Sequence, residues 1–390
     1  MKNSNYDIII VGGAVMGSSV AFHLLTDEPK LKLAVVERDP AYTRASTALS
    51  LGGVRIQFSF KENIQISLYA QKCFATFEEE MAVNGVKPSI QFRQEGYLFL
   101  IEDSGRALAE EALTLQKSLG GEAEWWSAEE IKKRFPLFSA DGFIGGTFGP
   151  KDGYLDPYGL LMGYRAKAVS LGAYYIADEV VELRKSGKTM SGVGLASGQI
   201  LNSPIIVNAA GAWSAELART AGVELPIIPI RREVFAVKPS VNLERPLPLT
   251  ITPSGLYFRS ETGGLILVGR SLEEDKVGFD FNWDWGRFQE TLWPELVRII
   301  PAFETLKLVR GWAGLYDQNL LDSNAFLGPW PELQGLYLIN GFSGHGLQQS
   351  PAAGRYLAEL ILGRTPTLDL RCFSPQRILD HRPLQEGGIV

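Results

Sequence analysis

Four consecutive β-branched residues, Ile8, Ile9, Ile10 and Val11, follow the polar residues Asn3, Ser4, Asn5 and Asp7 and run straight into Gly12 and Gly13. Beyond the glycines, Ala21, Phe22, Leu24 and Leu25 recur at helical spacing. The pattern predicts a strand buried on both faces, a tight turn and a helix. A second apolar run at residues 33–36 ends at Glu37, and a third at residues 204–207 enters Asn208, Ala209, Ala210 and Gly211. A fourth, at residues 336–339, meets another glycine turn, after which residues 353–362 repeat at helical spacing. Between these, residues 90–101, 234–237, 256–259 and 265–269 read as strands of a largely antiparallel sheet.

The first elements carry chemistry as well as structure. Glu37 stands twenty residues after Gly17. In a strand, turn, helix and strand unit, an acid at that place accepts hydrogen bonds from adenosine ribose hydroxyls, while the helix N-terminus near residues 14–17 faces a pyrophosphate. The middle glycine of the GxGxxG pattern is Ala14 here. The motif suits FAD or NAD equally. Residues 38–58 form a loop rich in Ser, Thr and Gly, and the chain does not return at once to a helix and parallel strand, as a compact nicotinamide domain would.

At 390 residues and 45% apolar content the chain can fill one large domain or two. A net charge of −6 opposes wholesale binding of nucleic acid or an anionic membrane, which need a cationic surface. Two cysteines, Cys73 and Cys372, and three histidines, His23, His345 and His381, lack any metal-ligand spacing or disulfide framework. The run from Ile8 to Val11 is too short for a signal core or membrane span, so a cytoplasmic, reducing location is expected.

Five ordered motifs extend the picture: GGAVMGSS from Gly12, STALSLGGVRIQFS from Ser46, NAAGAWS from Asn208, WAGLYDQNLLDSNAFLGP from Trp312 and GFSGHGLQQSP from Gly341. With them the chain resembles the D-amino-acid oxidase superfamily of FAD-dependent oxidoreductases, on its sarcosine oxidase β-subunit branch, from residue 6 to about residue 373. The resemblance implies an α/β fold: a Rossmann-like, glutathione-reductase-like FAD domain with an interleaved, largely antiparallel substrate domain. FAD motifs in three separate places divide it into FAD-domain segments 1–88, 150–222 and 322–378, substrate-domain segments 89–149 and 223–321, and a tail at 379–390 on a partner or the body. By the same resemblance Gly12, Gly13, Ala14, Val15, Met16 and Gly17 line the pyrophosphate, and Glu37 with Arg38 the adenosine end. Ser46, Thr47, Leu51, Gly52, Gly53 and Val54 follow the ribityl chain and flavin. Val181 touches the adenine, and Ala210, Gly211, Trp213 and Gly314 lie close to the cofactor. Gly344, His345, Gly346, Leu347 and Gln348 approach the flavin pyrimidine, where a helix N-terminus stabilises charge gathering on reduction.

The family oxidises carbon next to nitrogen and releases an imine that hydrolyses. Its substrates are small secondary amines or amino acids, sarcosine-like, with oxygen or another electron acceptor. His345, inside the glycine turn, is the first candidate side chain. Arg55 can hold a substrate carboxylate or tune the ring. Tyr257 and Arg259 share a strand face by the two-residue period and form a candidate carboxylate clamp. Tyr316 lies where related amine oxidases cover the substrate. Trp283, Trp285 and Trp293 read as core or interface packing, and Arg231 and Arg232 as structural ion pairs. The cysteine that tethers flavin in monomeric sarcosine oxidases aligns with Gly314, so noncovalent FAD is expected. Their oxygen-activating lysine aligns with Leu267, their carboxylate-binding lysine with Gln348, and the histidine near their substrate with Ser271. Oxidase and dehydrogenase therefore both stand, as do another flavin dehydrogenase, a partner-dependent flavoprotein subunit in a homo- or hetero-oligomer and, on the first motif alone, an NAD enzyme.

Overall fold

The computed structural model describes residues 4–139 and 141–387. Ile8–Val11 is the centre of a six-stranded sheet ordered Phe326–Pro329, Leu336–Asn340, Ile205–Asn208, Ile8–Val11, Leu33–Glu37, Tyr174–Ala177, parallel except for its Phe326–Pro329 edge. Strand alternation sends Ile8, Ile10, Leu33 and Val35 to one face, where helices Val15–Asp27, Lys61–Glu80, Pro157–Ser170 and Gly346–Ile361 cover them. Ile9, Val11, Ala34 and Val36 face the other way, onto a smaller sheet that includes Val180–Ser186 and Thr189–Leu195. Both faces are buried, which is why these strands read as unbroken apolar runs.

The second layer is an eight-stranded sheet ordered Leu306–Asn319, Ile227–Pro239, Leu265–Arg270, Leu256–Glu261, Leu249–Ile251, Tyr97–Ile101, Gly145–Gly149, Glu124–Ser127. It is antiparallel except where Leu249–Ile251 runs parallel to Tyr97–Ile101. Its outer face buries Leu98, Phe235, Phe258 and Val268 with residues of the 285–303 helical stretch. Its inner face looks at the parallel sheet's carboxyl end, the usual crevice for ligands in such sheets.

One expectation changes and two take definite form. The strand expected from residue 90 begins only at Tyr97, because Gly96 turns with φ +89° and leaves no room for a side chain beside the Phe148 ring. Trp293 packs on Phe288 and donates to the Phe303 carbonyl, whereas Trp283 and Trp285 are 40% and 53% exposed. Residues 379–387 lie on the body; residues 388–390 of the expected tail fall outside the described residues. There Glu386 accepts from the backbone N–H groups of Ser59 (2.6 Å) and Phe60 (3.0 Å) and from Asn63 Nδ2 (2.9 Å). It thereby caps helix Lys61–Glu80, whose own N-cap residue supplies no side-chain bond.

Candidate active site

One continuous cavity runs from the glycine turn at Gly12 to the inner face of the large sheet. At its outer end Gly12 adopts φ +97°, and a side chain there would meet the Ala209 carbonyl oxygen at 2.4 Å. Ala14 ends the turn with ordinary φ −68° and opens helix Val15–Asp27 without any side-chain cap, so the first-turn N–H groups are free to meet an anion. The methyl at the middle glycine position is therefore accommodated without strain. Glu37 accepts from Gly13 N and Asp39 N, both at 2.8 Å, one through each carboxyl oxygen. Burial pushes its pKa up, and those two bonds pull it back. The remaining lone pairs suit ribose hydroxyls. Arg38 lies over the Trp213 ring at 3.8 Å.

The predicted cofactor residues all line this cavity except Gly13, Gly17, Gly52 and Val54. Gly13 sits beneath it, its N–H holding Glu37. Gly17 lets the first helix approach the turn, since a side chain would strike the Gly12 carbonyl at 1.9 Å. Gly52 turns at φ +81° against the Leu155 carbonyl, and Val54 packs into the helical core. Leu51, Gly53 and Arg55 alternate with these two and face the cavity.

The inner end is built by the large sheet. Tyr97, Leu249, Ile251, Tyr257, Val234, Arg232, Gly314 and Tyr316 line it from neighbouring strands. Gly269 is what lets the Tyr257 ring lie flat, because a side chain there would sit 2.5 Å from it. Burial raises the phenol pKa of Tyr257 and Tyr316 and pushes Tyr97 up to about 12, so all three stay protonated donors. Opposite them, the turn at Gly344 and the uncapped start of helix Gly346–Ile361 point at the cavity.

Arg55 is 3% exposed and faces this space with, among the described residues, no carboxylate within ion-pair distance. Its Nη1 donates to the Gln57 carbonyl at 2.6 Å, and its backbone N–H to Gln348 Oε1 at 2.7 Å. Phe58, Tyr97 and Phe99 surround the guanidinium. Arg259 does share the Tyr257 face, but it is not a clamp. Its Nε and Nη2 donate to the Leu51 carbonyl at 3.1 and 2.9 Å, its Nη1 reaches Ser260 O and Glu261, and it does not line the cavity. His345 lines the cavity beside Arg55, and burial and then Arg55 lower its pKa to about 3.

Sequence reasoning passed over four contributors. Tyr97 lay inside a predicted strand whose alternation would have paired it with Phe99. Arg232 is the ion pair its context predicts, with Asp275, and it also lines the cavity under Tyr316 at 5.2 Å. Two buried carboxylates, Asp152 and Asp317, brace the loops that carry Arg55 and His345. Asp152 accepts from Ile56 N (3.1 Å), Gln57 Nε2 (3.1 Å) and Gln71 Nε2 (2.8 Å), and Asp317 from Gly341 N and Phe342 N. Desolvation raises both to about 6. No local motif marks either. Among the described residues no group of His, Cys, Asp and Glu is arranged to hold a metal, and no helix is long and apolar enough to cross a membrane.

An uncapped helix start, a glycine turn closed against backbone and a terminal acid at one end, and a second uncapped helix start at the other, fit a long anionic dinucleotide with a ring system inside. Comparison with known proteins agrees. The FAD dependent oxidoreductase (DAO) family model matches residues 7–360. "FAD-dependent oxidoreductase domain-containing protein 1" of Xenopus laevis is 39% identical over 98% of this chain and 85% of its own length. The glycine oxidase of Geobacillus kaustophilus is 26% identical over 95% of this chain and 97% of its own. The crystal structure of L-proline dehydrogenase from P. horikoshii, 26% identical, superposes with a TM-score of 0.87 over 98% of this chain and 100% of that one. This chain thus belongs to the DAO family of FAD-dependent oxidoreductases.

Proposed function

We propose that the protein oxidises the C–N bond of a small amino acid bearing a secondary amine, an N-substituted glycine or a proline-like ring, and passes the electrons to an acceptor other than dioxygen. The observation that carries this reading is Arg55, a buried cation facing the cavity that, among the described residues, has no carboxylate within ion-pair distance, Asp152 acting on it only from farther away. The other buried cations of the inner sheet are matched: Arg232 and Arg287 by Asp275, and Arg231 by Glu233 and Asp280. A single unmatched charge suits a single substrate carboxylate. Noncovalent FAD, when bound, supplies the two-electron acceptor for a hydride leaving the substrate carbon. The chain's task is orientation: Arg55 anchors the carboxylate, protonated Tyr97, Tyr257 and Tyr316 donate hydrogen bonds, and Leu249, Ile251 and Val234 exclude water and favour the neutral amine. The imine product hydrolyses after release.

The likeness to a proline dehydrogenase supports the substrate class. The acceptor assignment follows from the cavity wall, which among the described residues contains no lysine, with Leu267 buried in an apolar cluster of Val234, Ala236, Leu51 and Trp312. Two unpaired cysteines are compatible with the reducing, cytoplasmic setting this reading adopts. The test is anaerobic addition of N-methylglycine, other N-alkyl glycines and L-proline to the yellow protein while following flavin absorbance. Bleaching by one of them, with slow recolouring in air and rapid recolouring by an artificial quinone, is expected. No bleaching by any would sink the substrate class, and fast recolouring in air would sink the acceptor assignment.

A further inference from the structure

His345 Nε2 stands 3.1 Å from the Arg55 guanidinium Nη2. A guanidinium has only N–H donors, so the imidazole nitrogen facing it accepts and carries no proton. The Phe342 carbonyl, which only accepts, takes the His345 backbone N–H at 2.9 Å. The ring proton therefore sits on Nδ1. Phe58 wedges both groups, its ring 4.2 Å from the guanidinium and edge-on to the imidazole at 5.3 Å. The further charged or titratable groups lining this end of the cavity are Arg232, Tyr97, Tyr257, Tyr316 and Asp317, whose Oδ2 accepts from Gly341 N and Phe342 N, while Asp152 spends both oxygens on the bonds described above.

We propose that His345 is a positioning residue, a neutral Nδ1-protonated acceptor that fixes the Arg55 guanidinium toward the cavity and takes no proton from the substrate. The proposal rests on the reading of Arg55 as the carboxylate anchor, and it assigns the anchor's geometry to a second residue. A protonated imidazole would place two cations in contact and lose the acceptor. Burial and Arg55 accordingly keep the imidazole neutral, with a pKa of about 3. The substrate amine then sheds its proton to solvent, and kcat/KM follows the amine's own titration with no histidine step near pH 6.5.

Two measurements test this on the FAD-loaded protein. Histidine-selective nitrogen NMR of a sample carrying only three histidines should show His345 neutral and Nδ1-protonated from pH 5 to 9. A proton on Nε2, or titration near neutrality, would overturn the proposal. The second is binding of methoxyacetate, a non-oxidisable carboxylate, read from the flavin spectrum. His345→Gln places an oxygen acceptor where Nε2 was and should bind within about 3-fold of wild type, while His345→Leu should bind ~10–100-fold more weakly, as expected for losing a bond to a charged group. Gln no better than Leu would also overturn it. A wild type that ignores methoxyacetate while His345 keeps its Nδ1 proton would instead overturn the amino-acid reading and leave the Arg55–His345 couple standing.

Discussion

Asp317 lies at the base of the turn that carries His345, and its charge state offers a quantitative test. One oxygen accepts from Gly341 N at 2.7 Å and Phe342 N at 3.2 Å. Burial raises the carboxyl from 3.8 to about 6, and the backbone N–H bonds reduce that rise without cancelling it. A shift of about two units corresponds to roughly 3 kcal/mol between protonation states at ~1.36 kcal/mol per unit. The folded pKa lies above the unfolded one, so the native state holds the extra proton between the two values. The stabilisation is fully present below pH 3.8 and is lost as pH rises through about 6. Asparagine keeps an acceptor for both N–H groups and cannot ionise. Relative to wild type, Asp317→Asn should gain about 1 kcal/mol at pH 4.5 and about 3 kcal/mol at pH 7.5. Asp317→Ala leaves two buried donors unpaired at ~1–3 kcal/mol each, about 2–6 kcal/mol relative to the protonated wild type, and because alanine cannot ionise either, its deficit should shrink by about 2 kcal/mol between pH 4.5 and pH 7.5. Urea unfolding of the FAD-saturated proteins across that pH range measures both. An asparagine advantage that is flat with pH, or grows toward acid, would refute the reasoning.

Arg55→Met should leave the protein yellow and weaken methoxyacetate binding ~10–100-fold, as expected for removing a charged hydrogen-bond partner; an unchanged affinity in the flavin-perturbation titration would remove Arg55 from the anchor role. Gly344→Ala places a side chain 2.4 Å from the Tyr316 ring at φ +97°. It should cost about 1–3 kcal/mol by overpacking, seen as a lower Tm and reduced FAD content, and an unchanged Tm with full FAD would contradict the close approach. Glu386→Ala uncaps helix Lys61–Glu80 and should cost about 1–2 kcal/mol. Hydrogen exchange should show the loss first at residues 59–63, and protection there equal to wild type would show the bonds to be dispensable.

How much of this was legible in the sequence depends on the range of each interaction. The strand Ile8–Val11, its glycine turn and Glu37 announce themselves because their logic is local: period, φ and spacing. Period two also contains more than the motif reading took from it. Leu51, Gly53 and Arg55 face the cavity, and Gly52 and Val54 cannot, yet a motif treats all five as a block. Alternation placed Tyr257 and Arg259 on one face, but it carries no information about the Leu51 carbonyl that occupies the arginine from elsewhere in the chain. Asp152, Asp317 and Glu386 are long-range partners of backbone N–H groups, and a backbone donor leaves no trace in residue identity. The ion pairing of Arg232 was readable from its context, its place on the cavity wall was not.

The capping of residue 60 by residue 386 has a consequence for synthesis. A ribosome adding ~5–20 residues per second needs about 20–60 s between making Ile8–Val11 and making Leu336–Asn340. Throughout that interval the nascent chain carries apolar strands whose neighbours do not yet exist. The cavity lining from Ile339 to Gln348 does not exist until those residues are made, so the complete cavity that begins at Gly12 cannot close before then.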